Sequence, residues 1–396
     1  MSHSEDDPAR PSGAFQSADV DELAERPPAG SEGPTGIVLM NLGGPVDQNS
    51  VQPFLLQLFA DREIIKLPLQ KWLGPFIARR RTGAVQENYR QIGGGSPILE
   101  WTRKQGEGMC ERLDRIRPES APHRFYVAFR YAPPFSEDAL QAMHEDGVRR
   151  AVAFTQYPQF SCSTTGSSLN ELWRAAGRTD LRSAFDWSVI DRWHVHPGFI
   201  AAMTETVRAG LAKFGDADRE DALLVFSAHS LPLSVVDRGD AYIQECAASV
   251  EAVMQALGHS NEYLLSWQSE VGPVRWMGPS TETVIHELGR KKRRNVLVVP
   301  IAFTSDHIET LHELDIEYGE LAKEVGIENY HRAPAMNDSR LFLDAMADIV
   351  ARHLDSGEPC TRQYGLRCPG CVNPQCRNIL NPVAPYRRTR VGARED

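Results

Sequence analysis

The sequence predicts an α/β protein made of two similar halves, each with a four-stranded parallel sheet flanked by helices. From residue 36 to about residue 355, short apolar runs rich in β-branched residues alternate with stretches of helical periodicity. The runs are apolar throughout, as is typical of strands buried on both faces of a parallel sheet. Four of them fall on each side of about residue 190, without a sequence repeat. The duplication is therefore expected in topology only.

Each predicted strand ends where its apolar run meets polar or turn-forming residues. The eight strands are predicted at Gly36–Leu42, Arg124–Tyr131, Ala151–Tyr157, Trp187–Trp193, Ala222–Ser227, Tyr263–Trp267, Asn295–Thr304 and Glu328–Arg332. Helical periodicity is clearest in Pro197–Lys213 and Asp240–Leu257. These elements predict an N-terminal domain at 36–190, a C-terminal domain at 191–356 and an extension at 357–396.

Composition excludes several classes of protein. The chain has 396 residues and a formal net charge of −10, which argues against nucleic acid as the main partner. Its seven cysteines lack the dense, even spacing of a secreted disulfide scaffold, so a reducing compartment is indicated. The sequence has no uninterrupted apolar stretch long enough to cross a bilayer.

The first 35 residues are polar, acidic and rich in proline and glycine, so a disordered tail is expected at 1–35. A secretory signal needs a basic start and an apolar centre, whereas a mitochondrial presequence is rich in arginine and poor in acidic residues. The tail has neither composition. We therefore expect a cytoplasmic protein without a clear mitochondrial presequence.

Polar residues follow the carboxyl ends of several predicted strands, which is where open α/β sheets bind their ligands. His229 is the leading candidate, because it follows an apolar strand and precedes Pro232. A neutral imidazole at that position can accept a proton or bind a metal. A structural, hydrogen-bonded histidine fits the position equally well.

A line of carboxylates follows another strand end. Glu309, Glu313 and Glu317 are spaced four residues apart, which places them along one side of a helix. A charged run is usually a solvated face, but here no basic residue interleaves. Like charges at this spacing weaken a helix by roughly 0.2–0.5 kcal/mol per pair. With Asp306 and His307, the line predicts a proton path or a transient site for a divalent cation.

Two apolar segments have alternative interpretations. Pro53–Arg81 is dense in apolar residues and ends in three arginines, which suits a membrane surface, the mouth of an apolar pocket, or a core helix with a basic last turn. Trp267 and Trp276 flank a Gly-Pro turn, where their indoles would stack on a flat ligand or pack in the core.

Ser96 ends a glycine-rich loop that matches no nucleotide-binding fingerprint.

Three cysteines form a knuckle near the C-terminus, in the run Cys368-Pro-Gly-Cys371-Val-Asn-Pro-Gln-Cys376. Proline and glycine keep this segment out of regular helix. Thiolates at this spacing suit either an iron–sulfur cluster or zinc. Three ligands leave one position open, so the fourth must come from elsewhere in the chain.

Several long motifs, in the same order, resemble those of ferrochelatases. They are Asn41-Leu-Gly-Gly-Pro45, Gly93-Gly-Gly-Ser-Pro-Ile98, Phe129-Arg-Tyr131, Thr155-Gln-Tyr-Pro-Gln159, Ser227-Ala-His-Ser-Leu-Pro232 and Ser305-Asp-His-Ile-Glu-Thr310. The resemblance extends from residue 36 to about residue 380 and is greatest to the animal-type enzymes. It implies two Rossmann-like (chelatase) domains around a porphyrin cleft, and a lyase that inserts ferrous iron into protoporphyrin IX with release of two protons, the last step of haem synthesis.

The resemblance also implies roles for individual residues. His229 matches the essential imidazole and Glu309 the carboxylate facing it, both next to the substrate iron, while Asp306, His307, Glu313 and Glu317 continue the proton or metal path. The residues that would surround the porphyrin are Leu42, Arg81, Tyr89, Ser96, Arg130, Tyr131, Trp267 and Trp276. Many animal enzymes have methionine in place of Leu42, a departure that bears on distortion of the macrocycle and not on the chemistry.

In cluster-bearing members of the family the fourth thiolate matches Cys162. The resemblance therefore implies that Cys162, Cys368, Cys371 and Cys376 hold a 2Fe–2S cluster, although the spacing alone also allows zinc. It further implies a homodimer that uses the extension at 357–396. From the composition of the tail we expect a bacterial cytoplasmic enzyme, with peripheral association at the inner membrane as a further expectation.

Two other functions are compatible with the sequence. A ferrochelatase that uses coproporphyrin III would have to accommodate two further propionates. A non-catalytic porphyrin or haem carrier with an iron-sensing cluster would need no catalytic groups, and the presence of both His229 and Glu309 argues against it.

Overall fold

Two four-stranded parallel sheets form the framework, as the sequence predicts. The computed structural model describes residues 33–64, 67–272, 274–366, 368–373 and 375–379. The predicted tail lies outside these residues apart from its last three, and so does the end of the extension. The first strand already begins at Thr35.

The two sheets have the same strand order. The first comprises β1 (Thr35–Asn41), β2 (His123–Phe129), β3 (Arg150–Thr155) and β4 (Asp186–Ile190), in the order β2-β1-β3-β4. The second comprises β5 (Leu223–His229), β6 (Tyr263–Gln268), β7 (Asn295–Pro300) and β8 (Asn329–Arg332), in the order β6-β5-β7-β8. All eight predicted strands are confirmed, and so is the duplication of topology without sequence repetition.

Helices cover both sheets. In chain order they are α1 (Val51–Ala60), α2 (Gln70–Gln91), α3 (Ile98–Ile116), α4 (Ser136–Glu145), α5 (Ser167–Arg178), α6 (Pro197–Leu211), α7 (Asp216–Asp221), α8 (Leu233–Val236), α9 (Tyr242–Ala256), α10 (Thr281–Arg290), α11 (Tyr318–Glu324) and α12 (Arg340–Ser356). Short 3-10 helices lie at Gln48–Ser50 and Pro118–Ser120, and π-helices at Cys162–Gly166 and Glu309–Glu317.

A hydrophobic core joins the two halves. Buried residues of β1 and α3 belong to the same cluster as buried residues of α6, α9 and α12. Arg112 of α3 pairs with Asp344 of α12 at 2.5 Å, and the Gln105 side chain donates to the Asn337 carbonyl at 2.9 Å. The division near residue 190 thus separates the two sheets, while one face of each sheet contributes to this shared core.

The extension begins by adding to the first sheet. The Val189 amide in β4 donates to the Pro359 carbonyl at 2.7 Å, and Thr361 donates its hydroxyl hydrogen to Asp191 at 2.8 Å. Tyr364 is buried edge-on against Phe160, with ring centroids 6.5 Å apart. These contacts bring the cysteine knuckle to the N-terminal half.

Among the described residues, the helices are all too short or too polar to cross a bilayer.

One buried histidine predicts acid sensitivity of the folded state. Burial lowers the pKa of His353, on α12, to about 4, whereas an unfolded chain titrates near 6.5. Because the pKa of His353 is lower in the folded state, the unfolded state binds more protons as the pH falls below 6.5. The free energy of unfolding therefore decreases between about pH 6.5 and about pH 4. His353→Leu should reduce that loss by roughly 2 kcal/mol at pH 4.5. Urea unfolding at pH 7 and 4.5 measures it; an equal acid loss in both proteins would contradict the prediction.

Candidate active site

His229 is the last residue of β5, at the carboxyl edge of the second sheet. Its Nδ1 lies 2.7 Å from the Ser230 carbonyl oxygen. A carbonyl oxygen only accepts hydrogen bonds, so Nδ1 carries the hydrogen and Nε2 of the neutral ring carries a lone pair. The side chain is half-buried. His229 is thus oriented as a proton acceptor or metal ligand.

Gln268 connects His229 to the carboxylate segment. It pairs in register with His229 across β5 and β6 and is completely buried. Its amide oxygen accepts from the Ser227 hydroxyl at 2.7 Å, which leaves the NH2 group directed at the π-helix. That group donates to the Glu309 carbonyl at 3.1 Å and to the Glu313 carboxylate at 2.8 Å. The buried amide therefore holds the start of the π-helix beside β5.

The carboxylate segment is a π-helix, where the four-residue spacing suggested an ordinary helix. It occupies Glu309–Glu317 and continues directly into α11. The wider π-helical turn still brings residues four apart close together, so the glutamate line is compatible with either geometry. Runs of π-helix this long are rare, and π-helical turns occur frequently at functional sites.

Glu309, at the start of the π-helix, faces His307. The His307 Nε2 lies 3.3 Å from a Glu309 carboxylate oxygen, and its Nδ1 is buried with no hydrogen-bond partner among the described residues. Asp306 is differently engaged: its carboxylate accepts from Thr310 at 3.1 Å and from Asn337 at 2.8 Å. Arg332 pairs with the same carboxylate at 3.1 Å. The Asp306 carboxylate thus holds the loop in place, whereas His307 and Glu309 can still form further hydrogen bonds.

The other two glutamates differ in surroundings. Glu313 accepts hydrogen bonds from Gln268, from both the amide and the hydroxyl of Ser269, and from Tyr318 at 3.1 Å. Glu317 is 61% exposed, at the outer end of the line. Partial burial, together with the charges of Glu313 and Glu282, raises the pKa of the Glu317 carboxyl. The line therefore runs from Glu313, whose carboxylate is fixed by hydrogen bonds, to Glu317, whose carboxyl pKa is raised and which is in contact with solvent.

Two tyrosines of the first half of the chain are affected by the charge of Glu309: Tyr89 is buried and Tyr157 is half-buried. Burial and the negative charge of Glu309 raise the pKa of Tyr89, on α2, and of Tyr157, just after β3. The Leu42 amide donates to the Tyr157 hydroxyl at 2.7 Å. The predicted site omits Tyr157, although this residue belongs to one of the motifs; the signal that points to it is a phenol directly after a strand. Ile308, next to Glu309, packs against the apolar cluster of α1 and α2 that includes Tyr89, so the two halves of the chain meet here.

Arg130 and Tyr131 follow β2 and share one acceptor. Asp61, in the loop after α1, accepts from the Arg130 guanidinium and, at 2.6 Å, from the Tyr131 hydroxyl. Arg130 also donates to Ser167 at 3.1 Å and pairs with Glu171 at 3.4 Å. The guanidinium is buried, so these partners offset its desolvation. In this arrangement Arg130 is held in place by acidic partners of its own chain.

The remaining predicted porphyrin contacts are spread around the strand ends. Trp267 is a core residue, 4% exposed and 6.0 Å from the Tyr242 ring. Trp276 is half-buried, and its indole nitrogen has no partner among the described residues. Arg81 is exposed on α2, over the ring of Phe59, while Leu42 and Ser96 are half-buried. Of the two indoles, that of Trp276 is the one with exposed ring surface and with an N–H group that has no hydrogen-bond partner among the described residues.

The cysteines of the knuckle and Cys162 meet the same short turn. Asp240 accepts from the Cys162 amide at 2.7 Å, and the Gly370 amide donates to the Arg238 carbonyl at 2.9 Å. Burial above all, with the neighbouring Cys371 and Cys368 thiols, raises the pKa of Cys376 to about 11, although Arg377 opposes this shift. Within the described ranges, no three His, Cys, Asp or Glu side chains are arranged as a metal-binding group.

Two four-stranded parallel sheets flanked by helices, with polar side chains gathered after the strand ends of both sheets, form the framework of this chain. The solved structure of SirB from Bacillus subtilis with Fe3+ matches with a TM-score of 0.50, covering 82% of this chain and 98% of that one. At 11% sequence identity this likeness shows the fold alone.

The family model described as Ferrochelatase matches residues 34–354. The chain belongs to the ferrochelatase family, whose members are metal chelatases of the lyase class. It is 51% identical to the mitochondrial ferrochelatase of Bos taurus over 92% of this chain and 90% of that protein. Identity to the mitochondrial ferrochelatase of Homo sapiens is 52%, over 87% and 81%, and to that of Schizosaccharomyces pombe 49%, over 91% and 86%.

The comparisons correct one prediction. We expected a bacterial cytoplasmic enzyme because the first 35 residues lack the composition of a mitochondrial presequence. That prediction is wrong, since the relatives from cattle, human and fission yeast are all named as mitochondrial. The tail composition on which it depended lies at residues 1–32, outside the described residues.

Proposed function

We infer that this protein inserts ferrous iron into protoporphyrin IX, the terminal step of haem biosynthesis. The single observation that best supports the site is the orientation of His229, whose Nε2 lone pair is left free at the strand end. In the reaction two pyrrole N–H bonds break, four iron–nitrogen bonds form and two protons leave. Iron stays ferrous, so the protein has to supply proton acceptors and a grip on the ring, and no electrons.

We assign the first proton acceptor to His229 and the onward path to the carboxylates. Glu309 begins that path, with His307 as its neighbour at 3.3 Å, and Glu313 follows it along the π-helix. Glu317 suits the exit, because its raised carboxyl pKa and its exposure favour taking up a proton and releasing it to water. Asp306 we assign to positioning, because its carboxylate is already engaged. His229 and Glu309 also stand where substrate iron would be bound.

The porphyrin would lie between the two halves. Leu42, directly after β1, and Trp276, in the loop after β6, provide apolar surface, and Trp267 supports that wall from the core. Hydrogen-bond donors suited to propionates are provided by Arg130, Tyr131, Arg81 and Ser96. Tyr89 lies near Glu309, at the inner end of the cleft. Binding energy from such walls can distort the planar ring towards the geometry in which iron enters.

For the cysteines we propose a 2Fe–2S cluster. The chemistry of the donors supports this: the four thiols lie in two segments that both contact the Arg238–Asp240 turn. Arg377 also donates to the Cys376 sulfur at 2.9 Å, a contact that stabilises a thiolate. When bound, the cluster would cross-link Cys162 to the knuckle. Its role in iron insertion would be structural, because the reaction transfers no electrons. We also propose that the protein forms a homodimer through the extension and that it is mitochondrial, like the relatives.

We further propose peripheral docking on lipid through the start of α2. Leu69, Trp72 and Phe76 share one face and are 80%, 79% and 59% exposed. Lys71 and Arg79 are exposed close by, which favours anionic lipid headgroups. An apolar substrate could then enter the cleft directly from the bilayer.

Replacing Trp72 and Phe76 together by serine should weaken binding to anionic vesicles about 100-fold, since each buried side chain contributes about 1.5 kcal/mol or more. Sedimentation with vesicles of phosphatidylcholine and cardiolipin measures this. Ile116→Ser, on an exposed site at the end of α3, serves as the control. Equal partitioning of the double variant and the wild type would reject the docking face.

The function itself is tested by anaerobic insertion of ferrous iron, followed by the change in porphyrin absorption, with protoporphyrin IX and coproporphyrin III side by side. We expect a clear preference for protoporphyrin IX. A preference for coproporphyrin III would keep the catalytic residues and change the substrate. Tight binding of both porphyrins without insertion of iron would contradict an enzymatic function.

A further inference from the structure

A continuous chain of polar side chains connects the cysteine knuckle to Arg130 and Tyr131. It passes through the loop between α1 and α2 and through α5, which are far from the knuckle in sequence. The catalytic roles proposed above use neither the loop between Cys371 and Cys376 nor the acidic residues after α1.

The first link joins the knuckle to Glu63. The Asn373 side-chain amide, between the second and third cysteines of the knuckle, donates to the Glu63 carboxylate at 2.9 Å. Arg174 of α5 donates to the same carboxylate at 3.1 Å and to the side-chain oxygen of Gln375 at 3.3 Å. Asn170 adds a further donor at 3.1 Å. Two side-chain hydrogen bonds therefore hold the knuckle loop directly, one to Glu63 and one to Arg174, while Arg174 and Asn170 fix the Glu63 carboxylate.

The second link runs along α5. Arg174 pairs with Glu171 at 2.8 Å, and Glu171 pairs with Arg130 at 3.4 Å. Burial opposes ionisation of Glu171, yet the charges and hydrogen bonds of Arg130, Arg178 and Arg174 together hold the pKa of its carboxyl below its usual value. Glu171 is thus a charged bridge between the knuckle side of α5 and the cleft side.

The third link returns through the same loop that holds Glu63. Asp61, two residues earlier, accepts from both Arg130 and Tyr131. A displacement of Glu63 would therefore be transmitted to the acceptor that positions both pocket residues. The charged side chains of this network are 7–27% exposed, so solvent and salt screen their interactions only weakly.

We propose that Glu63 and Arg174 are positioning residues through which the cysteine-bearing extension sets the geometry of Arg130, Asp61 and Tyr131 for porphyrin binding. The proposal rests on the function inferred above. It identifies what the extension does for catalysis at a distance: it orders the pocket, and it contributes no reacting group. Because coupling between two sites is reciprocal, porphyrin binding must in turn stabilise the knuckle.

The first test measures the dissociation constant of protoporphyrin IX, without iron, by quenching of protein fluorescence in the full-length protein. Glu63→Ala and Arg174→Ala should each raise it by about fivefold or more. Glu63→Gln should fall between Glu63→Ala and the wild type, because its amide oxygen still accepts from Asn373 while the charge facing Arg174 is lost. Arg290→Ala, which breaks an exposed pair with Glu287, is the control and should leave the constant unchanged.

The second test follows amide hydrogen exchange of residues 368–379 with and without porphyrin. In the wild type, porphyrin should slow exchange there, and in Arg174→Ala the effect should disappear. Visible absorption and thermal unfolding verify that each variant retains its cluster and fold.

The proposal is overturned if the variants bind porphyrin as the wild type does, or if porphyrin leaves exchange of the knuckle unchanged. Failure of the wild type itself to bind porphyrin or to insert iron would instead refute the function from which the proposal starts. The two failures are therefore distinguishable.

Discussion

His229→Ala is expected to lower the rate of iron insertion by about 10²- to 10⁴-fold while porphyrin binding is largely retained. The imidazole is the proton acceptor oriented at the end of β5, with Nδ1 fixed by the Ser230 carbonyl and Nε2 free. Alanine removes the acceptor and leaves the strand and the apolar walls in place. Water in the vacated space is a far weaker base at neutral pH.

Single-turnover insertion into bound protoporphyrin, followed anaerobically, measures the rate, and fluorescence quenching measures binding. His259→Ala is a matched control, because that histidine is half exposed and pairs only loosely with Glu251 at 3.8 Å. A His229→Ala variant with wild-type turnover would reject the assigned role. A variant that loses porphyrin binding to the same extent as turnover would show a role in binding rather than in proton transfer.

Cys162→Ser is expected to remove the visible absorption of the cluster and to reduce iron and sulfide in the purified protein to near zero. Serine is a poor ligand for this cluster, and Cys162 is the one proposed ligand outside the knuckle. Loss of the cluster should also remove the cross-link between Cys162 and the knuckle, and so lower the temperature at which the extension unfolds.

Metal analysis and visible circular dichroism test this prediction, with Cys110→Ala as the control, since Cys110 is buried on α3. An unchanged spectrum in Cys162→Ser would remove Cys162 from the ligand set. Zinc without iron or sulfide in the wild type would contradict the cluster and favour the alternative that the spacing allows.

The sheets were predictable from sequence because their strands are buried on both faces. Such strands are apolar along their length, and each ends abruptly where polar residues enter a loop, as Leu223–His229 does. Those ends also indicated His229 and Glu309, because parallel sheets collect their functional side chains at one edge. The seventh strand stops at Pro300, earlier than predicted, since the apolar residues after it form a buried turn.

The contacts within the site were less predictable. The π-helix has the same four-residue spacing of glutamates as an ordinary helix, so the sequence pattern does not distinguish them. Gln268 acts through both ends of its amide, and no pattern marks a buried glutamine as an organising residue. Glu63 and Asn373 are 310 positions apart, and only the fold brings them together. Whether Trp267 packs in the core or lines the cleft depends on which side of β6 faces the core, and the sequence pattern does not show this.

The most direct test of the account counts the protons released during one turnover. Wild-type protein loaded with protoporphyrin IX is mixed anaerobically with ferrous iron in a weakly buffered indicator solution, while porphyrin absorption is followed simultaneously. We predict two protons for each haem formed, released in step with insertion. Iron uptake without a change in the porphyrin spectrum, or a spectral change without proton release, would contradict metal insertion at the His229–Glu309 site.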